Sequence, residues 1–283
     1  MNISQSELIL NPDGSIYHLN LLPGEVGSII ITVGDQNRVP MVSKHFDSIE
    51  VEKNKREFYT VTGWIGSKRM TVISTGIGTD NVDIVVNEID AIHNIDFVTR
   101  KVKKNITPLH FIRIGTSGGL QKNIPVDSFI ASDYGIGLDS LMQYYPYENK
   151  ELEMTRLKVS SLLNNNNVYV AASNSSFLEK SDQFIKGTTL SANGFYGPQG
   201  RQLRLPPKNP KMINDLSKLT IGSSKITNLE METAGLYALS SLLGHESISY
   251  SVILANRQKG TFSSNPKEAV NKLIVAALDV LTR

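Results

Sequence analysis

Runs of β-branched and apolar residues, each ending in glycine or a polar turn, alternate along this chain with segments whose apolar positions recur every three or four residues. The first run, residues 27–33, holds Ile29, Ile30, Ile31 and Val33 and ends in Gly34-Asp35-Gln36-Asn37-Arg38. An apolar run of this length bounded by turn residues is the pattern of a buried strand. An amphipathic segment follows through Phe46, then strand-like runs at 58–65 and 70–74, the second entering Ser74-Thr75-Gly76-Ile77-Gly78. Residues 80–93 place Val82, Val85, Val86, Ile89 and Ile92 on one helical face, with Thr79 or Asp80 as the cap. Residues 94–109 are polar and Lys-rich without a period, the mark of an exposed excursion. Further strands are expected at 110–114, 128–134, 168–172, 183–190, 225–232 and 248–254, and helices at 149–163 and 233–243. The last helix opens with a capping box, Asn265 at N-cap, Pro266 at N1 and Glu268 at N3. Strands alternating with helices, without a linker or a repeat, predict one domain over residues 1–283. Its class is α/β: a three-layer sandwich with a mixed, twisted central sheet flanked by helices.

Residues 111–120 stand apart from the other runs. They read as a short buried strand entering a loop in which residues 115–119 are all Gly, Ser or Thr. Glycine lets a backbone approach a ligand closely, and successive N–H groups in such a loop form an anion-binding concavity. Arg113 is a charge inside an apolar strand, and Arg is rarely buried unless paired, so an anion or a carboxylate is expected beside it. Other polar residues at strand ends are Gly34 with Arg38, Glu230-Met231-Glu232, and Asn256-Arg257. Open α/β sheets bind their ligands at such ends. In a strand Glu230 and Glu232 point to the same side, and carboxylates so close require a proton or shared donors. A ribose diol supplies two hydroxyl donors, and a helix beginning at Thr233 stabilises the charge. The plainer alternative is that these Glu only cap that helix. Three Arg with two Glu fit a small ligand with an anionic part and a hydroxyl-rich part, as phosphate and a pentose would be.

Composition narrows the classes. Charge is nearly balanced at +2 over 283 residues, with Lys and Arg dispersed, which argues against a nucleic-acid surface. The chain has no Cys, which excludes disulfides and thiolate metal sites. Its His residues (His18, His45, His93, His110, His245) lack metal-ligand spacing. Residues 1–10 carry Ser, Gln and Glu where a signal peptide needs an apolar stretch. No apolar run approaches the roughly 20 residues of a membrane helix. A cytoplasmic protein without a membrane or nucleic-acid partner is the expectation.

Tyr17-His18-Leu19, residues 34–39, Lys55-Arg56-Glu57-Phe58, residues 74–78, 113–119 and 194–201, Glu230-Met231-Glu232 and Asn256-Arg257 occur in one order along the chain. In those pieces it resembles the nucleoside phosphorylase superfamily with the hexameric-type fold, and within it the uridine phosphorylases. The resemblance implies a pentosyltransferase that converts uridine, with deoxyuridine or thymidine as further substrates, to uracil and ribose 1-phosphate in nucleoside catabolism and pyrimidine salvage. Inorganic phosphate would be the co-substrate, with no other cofactor. The phosphate site would be Gly34, Arg38, Arg113 and Thr116, completed by Arg56 of a neighbouring subunit. Met231 and Glu232, with Glu230 beside them, would hold the sugar, and a neighbouring subunit's His18 would reach its 5′-hydroxyl. Phe195 would stack on the base, Gln199 and Arg201 would read it, and Arg257 would stand near its far edge. Arg113, Arg201, Gln199 and Glu232 would carry the catalysis. The chain would therefore be a homo-oligomer with shared sites, a dimer or a hexamer. Relatives of this kind hold a monovalent cation such as potassium at the dimer interface through the Glu after the donated Arg, here Glu57, whereas Asn81 stands where they carry Ser.

The residues bear on the base independently. Uracil presents two carbonyl acceptors around an N–H donor, an edge that a Gln amide with an Arg matches. Purine-selective relatives place an Asp after the last strand, where this chain reads Ala255-Asn256-Arg257-Gln258. The alternatives are a phosphate-independent nucleosidase, a purine-type phosphorylase and a non-catalytic nucleoside-binding protein on the same fold. A nicotinamide dehydrogenase is disfavoured because the run from Gly115 lacks the Gly-x-Gly-x-x-Gly spacing.

Overall fold

The apolar run near residue 30 begins the sheet. In a computed structural model, which describes residues 2–222 and 224–283, β1 (Ile29–Val33) is buried from Ile30 onward. It lies parallel to both of its neighbours, β4 (Lys68–Ser74) and β7 (His110–Gly119). The other strands are β2 (Ser48–Lys55), β3 (Phe58–Ile65), β5 (Ile95–Asp96), β6 (Lys101–Val102), β8 (Phe129–Gly137), β9 (Tyr169–Ala172), β10 (Ile185–Ser191), β11 (Thr220–Ile221), β12 (Ser224–Glu230), β13 (Glu246–Asn256) and β14 (Thr261–Phe262). The helices are α1 (Arg38–Ser43), α2 (Thr79–Asn94), α3 (Glu153–Leu163), α4 (Met212–Leu216), α5 (Thr233–Leu243) and α6 (Pro266–Thr282). Twelve strands among the described residues form one mixed sheet in the order β11-β12-β10-β8-β13-β7-β1-β4-β3-β2, with β9 on β8 and β14 on β13. β12 also pairs with β7, so five strands close into a ring at one end of the sheet.

Alternation along the strands sorts the core into two faces. Ile30, Ile73 and Phe111 pack with Val82, Val85 and Ile89 of α2 and with Leu236 and Tyr237 of α5. Ile31, Val33, Ile112 and Ile114 pack on the opposite face with Val39 and Val42 of α1 and Leu273 and Ile274 of α6. This is the expected three-layer α/β sandwich. At the ring, α3 and α4 cover a further cluster through Val159, Met212 and Leu216.

Several local expectations are corrected. Residues 115–119 are not a loop: β7 continues through them, paired in parallel with Ser251 to Asn256 of β13. Their small size serves close packing, since a Cβ on Gly119 would lie 3.0 Å from Ile253 Cγ2. β2 was not expected, being a mostly exposed edge strand of alternating polar residues. The excursion at 94–109 contains the hairpin β5–β6. Its turn residue Arg100 (φ 54°) accepts a hydrogen bond from Ile3 N at 2.9 Å and donates from Nε to Ile3 O at 3.0 Å, which pins the N-terminal segment. Neither Thr79 nor Asp80 caps α2; the N-cap position is Gly78, and both lie in the first turn. Asn265 caps α6 as expected, its Oδ1 accepting from Glu268 N at 3.3 Å, but the reciprocal half of the box does not form: Asn265 N donates to Ser263 Oγ, and Glu268 Oε2 accepts from Asn265 Nδ2 instead.

Candidate active site

β1 pairs with β7 only as far as Arg113, and β12 meets β7 only at Gly118 and Gly119. Between them one edge of β7 has no strand partner, and a cavity of about 650 Å³ opens there. The glycine run thus contributes the rim of a gap in a sheet, in place of the expected loop.

Arg113 lines this cavity. Its guanidinium is buried over Gly115, and Nε donates to Glu230 Oε2 at 2.9 Å while Nη2 donates to Glu232 Oε2 at 2.5 Å. Burial alone would lower its pKa, but the charges of Glu232 and Glu230 hold it above the ordinary Arg value. The two carboxylates differ in their other partners. Glu230 accepts from Ser191 Oγ at 2.6 Å, Glu232 N at 3.0 Å and Thr233 N at 3.1 Å. Glu230 thus caps α5 through Thr233 N while also pairing with Arg113, whereas Glu232, at the N-cap position, makes no side-chain cap bond, so the plainer alternative of two Glu that only cap does not describe the pair. Burial opposes the ionisation of Glu230, yet Arg113 and these donors keep it below the usual carboxylate range. Glu232 accepts from Gly78 N at 2.8 Å. Burial, with the charge of Glu230 added, pushes it up to about 7 against the pull of Arg113. One carboxylate is fixed as a structural anion, and the other is poised to exchange a proton or accept from a ligand.

On the β1 side, Gly34, Arg38 and Thr116 line the cavity. Arg38 Nη1 donates to Ile114 O at 3.2 Å. Burial and the charge of Arg113 push its pKa down to about 10, so an anion placed here relieves that strain. Ser117, a residue the sequence reading passed over, also lines the cavity, and its buried Oγ has no partner. The signal available was its place in a run of small residues along a site-forming strand.

Met231 lines the floor beside the two carboxylates, and Phe195, Gln199 and Arg201 form the far end. These three come from residues 194–201, an irregular segment turned by the left-handed Gly200 (φ 63°). Gln199 is only 2% exposed. Arg201 Nη1 donates to Phe195 O at 2.7 Å and to Gln199 Oε1. Its guanidinium lies 3.6 Å from the centre of the Phe195 ring, so one face of that ring is covered by Arg201. Burial and the nearby Arg257 push Arg201 down to about 10. The remaining residues at this end are Leu254, Ala255 and Phe262, and none is acidic.

A family profile described as the phosphorylase superfamily matches residues 28–283. The chain belongs to the phosphorylase superfamily. As a superfamily member it is 27% identical over 261 residues to the uridine phosphorylase of Thermococcus kodakarensis, covering 91% of this chain and 83% of the relative. It is 25% identical over 276 residues to the uridine phosphorylase of Haemophilus influenzae, with 94% and 99% covered. It is 24% identical over 265 residues to a DeoD-type purine nucleoside phosphorylase of Shewanella denitrificans, with 93% and 96% covered. Among solved structures, a Trypanosoma brucei nucleoside phosphorylase described as showing uridine phosphorylase activity superposes with a TM-score of 0.88 at 28% identity, covering 98% of this chain and 99% of that one.

Against the phosphorylase-superfamily expectation, three residues lie outside the cavity. Arg257 does not line it. Its donors are used on the segment that carries Gln199: Nη1 to Gln199 O at 2.9 Å and Nη2 to Gly200 O at 3.3 Å. His18 and Arg56 do not line it either, and the fold brings them to one patch of their own. Arg56, at the tip of the β2–β3 hairpin with φ 57°, lies 5.9 Å from the centre of the Tyr17 ring, and Tyr17 packs edge-on against His18 at 4.8 Å. Glu57 follows at the same tip, while Asn81 Nδ2 donates to Ile77 O at 3.3 Å. In one chain this is a carboxylate beside an N–H donor rather than a cage of oxygens. Among the described residues no cluster of three or more His, Cys, Asp or Glu is placed to hold a metal, and no helix is long and apolar enough to cross a membrane.

Proposed function

We propose that this protein is a nucleoside phosphorylase acting on uridine: uridine and inorganic phosphate give uracil and ribose 1-phosphate. The observation that carries the reading is the order of chemistry along one cavity. Along β7, cationic Arg38 reaches Ile114 O, Arg113 packs over Gly115 with Glu230 and Glu232 as its partners, and Arg201, paired with Gln199, lies beside Gly118. Phosphate sits beside Arg38 and Thr116, and Glu232 accepts hydrogen bonds from the sugar hydroxyls. Gln199 and Arg201 exchange their mutual contact for the carbonyl edge of uracil.

The C1′–N1 bond then breaks, its electron pair leaves with the base, and C1′ gains oxocarbenium character. Charge developing on the uracil oxygens meets Arg201 and Gln199, which stabilises the transition state selectively. A phosphate oxygen forms the new bond to C1′, and positioning by Arg38 and Thr116 contributes to the rate. A purine leaving group needs an acid at its imidazole nitrogen, and the far end of the cavity supports no such role. Deoxyuridine and thymidine are secondary substrates of the same reading. His18 and Arg56 share a patch and do not line the cavity of their own chain, and on this reading they complete a neighbouring copy's site in a homo-oligomer.

Base release from uridine, thymidine, inosine and methylthioadenosine, each with and without phosphate, tests the proposal by absorbance. The expected result is phosphate-dependent release from uridine. Equal release without phosphate makes the protein a nucleosidase, and preference for inosine or methylthioadenosine overturns the base assignment.

A further inference from the structure

His18 is gripped by a residue that has had no role so far. Glu88 lies within α2, and its carboxylate turns to the N-terminal segment. Oε1 is 2.6 Å from His18 Nδ1, both oxygens accept from His18 N at 3.1 Å, and Oε2 accepts from Leu19 N at 2.9 Å. An ionised carboxylate only accepts hydrogen bonds. The proton on the ring therefore sits on Nδ1, and Nε2 is left as the atom available to a ligand. Tyr17 closes one side of the ring at 4.8 Å. The result is an imidazole of set tautomer and direction, still 28% exposed, on the patch that carries Arg56. Backbone anchoring needs only the contacts from the two main-chain N–H groups; the short contact to Nδ1 is additional.

We infer that Glu88 is a positioning residue for the reaction proposed above. It holds His18 with Nδ1–H inward, so that Nε2 accepts a hydrogen bond from the 5′-hydroxyl of a nucleoside seated in a neighbouring copy. The inference rests on that reading of the function. Carboxylate–imidazole pairs set tautomer and orientation in this manner elsewhere in enzyme chemistry. Without Glu88 the ring samples both tautomers and more than one rotamer, and the hydroxyl loses its acceptor.

The test compares uridine with 5′-deoxyuridine, which carries hydrogen in place of that hydroxyl, in the full-length oligomer. Glu88→Ala and His18→Ala are each expected to lower kcat/KM for uridine about tenfold, in the range typical of lost orienting partners, and for 5′-deoxyuridine by under about twofold. The double variant should be no worse than His18→Ala alone, since the two residues act as one unit. Glu88→Gln, which retains an acceptor oxygen, should recover part of the loss. Equal losses on both substrates assign Glu88 to anchoring the segment and overturn the inference, as do additive losses. Nitrogen-15 NMR of the His18 ring gives a readout independent of turnover. The wild type should carry its proton on Nδ1, and Glu88→Ala should shift the ring towards the Nε2–H form. A wild-type ring protonated only on Nε2 overturns the inference whatever the activity. An Nδ1–H ring in a protein that does not cleave uridine overturns the functional reading instead, and the 5′-hydroxyl role with it.

Discussion

Gly115→Ala probes the centre of the site with one methyl group. A Cβ there would lie 2.9 Å from both Cζ and Nη2 of Arg113. Ordinary contact needs about 3.5 Å, so the guanidinium must retreat by roughly 0.6 Å. Retreat is usually cheap at the tip of a long side chain, but this tip is buried and held by Glu230 and Glu232. Overpacking of this kind costs about 1–3 kcal/mol. Displacement of a positioning group by such a distance is expected to lower kcat/KM for phosphate and nucleoside by about 10²-fold. Gly118→Ala is the control on the same strand, because its Cβ would meet Arg257 Cγ at 3.4 Å and Arg201 Nη2 at 3.7 Å. Neither glycine has a positive φ, so backbone strain does not enter. The control should stay within about 0.5 kcal/mol in urea unfolding, as substitutions without a steric conflict do. If Gly115→Ala matches Gly118→Ala in stability and keeps wild-type initial rates, Arg113 is not held as described.

Glu232 supplies a pH signature. Its pKa rises on folding from the ordinary 4.5 to about 7, so its contribution to stability is fully present below that ordinary value and is lost as pH rises through about 7. Glu232→Gln should flatten the unfolding free energy across that window, and should remove the matching rise in kcat/KM for nucleoside as Glu232 ionises. Arg201→Ala should lower kcat for uridine by about 10²–10³, the usual loss for a donor at developing charge, with phosphate affinity kept; near-normal kcat would sink the base-reading role. Mixing inactive Arg56→Ala and Arg113→Ala chains should restore activity in mixed oligomers, and absence of rescue in verified hybrids would count against sites shared between copies. Asn265→Ala should cost about 1 kcal/mol of stability through loss of the α6 cap, seen as a Tm lower by about 2–4 °C.

The fold class was legible because apolar runs buried on both faces and amphipathic helices differ in period, and the site because its polar residues stand at strand ends. The reading failed where tertiary pairing decides. The three glycines of Gly115 to Gly119 weaken any strand propensity of that run, and β13 holds it extended. β2 carries so many charges that only its partner β3 makes it a strand. Residue identity also does not reveal which donors are already used: Arg257 is occupied by two carbonyls of the 194–201 segment. Glu88 escaped notice because its partner His18 is 70 residues away in the chain.

The gap along β7 has a mechanical consequence. Arg38 belongs to the half of the sheet built on β1 and β4, while Glu230 and Glu232 belong to the ring that contains β12. The two halves meet along β7, and the cavity occupies the seam. On the function proposed above, phosphate and nucleoside bound together would act as a splint across it. Amide hydrogen exchange in β1 and β12 should slow more with both ligands than the sum of their separate effects.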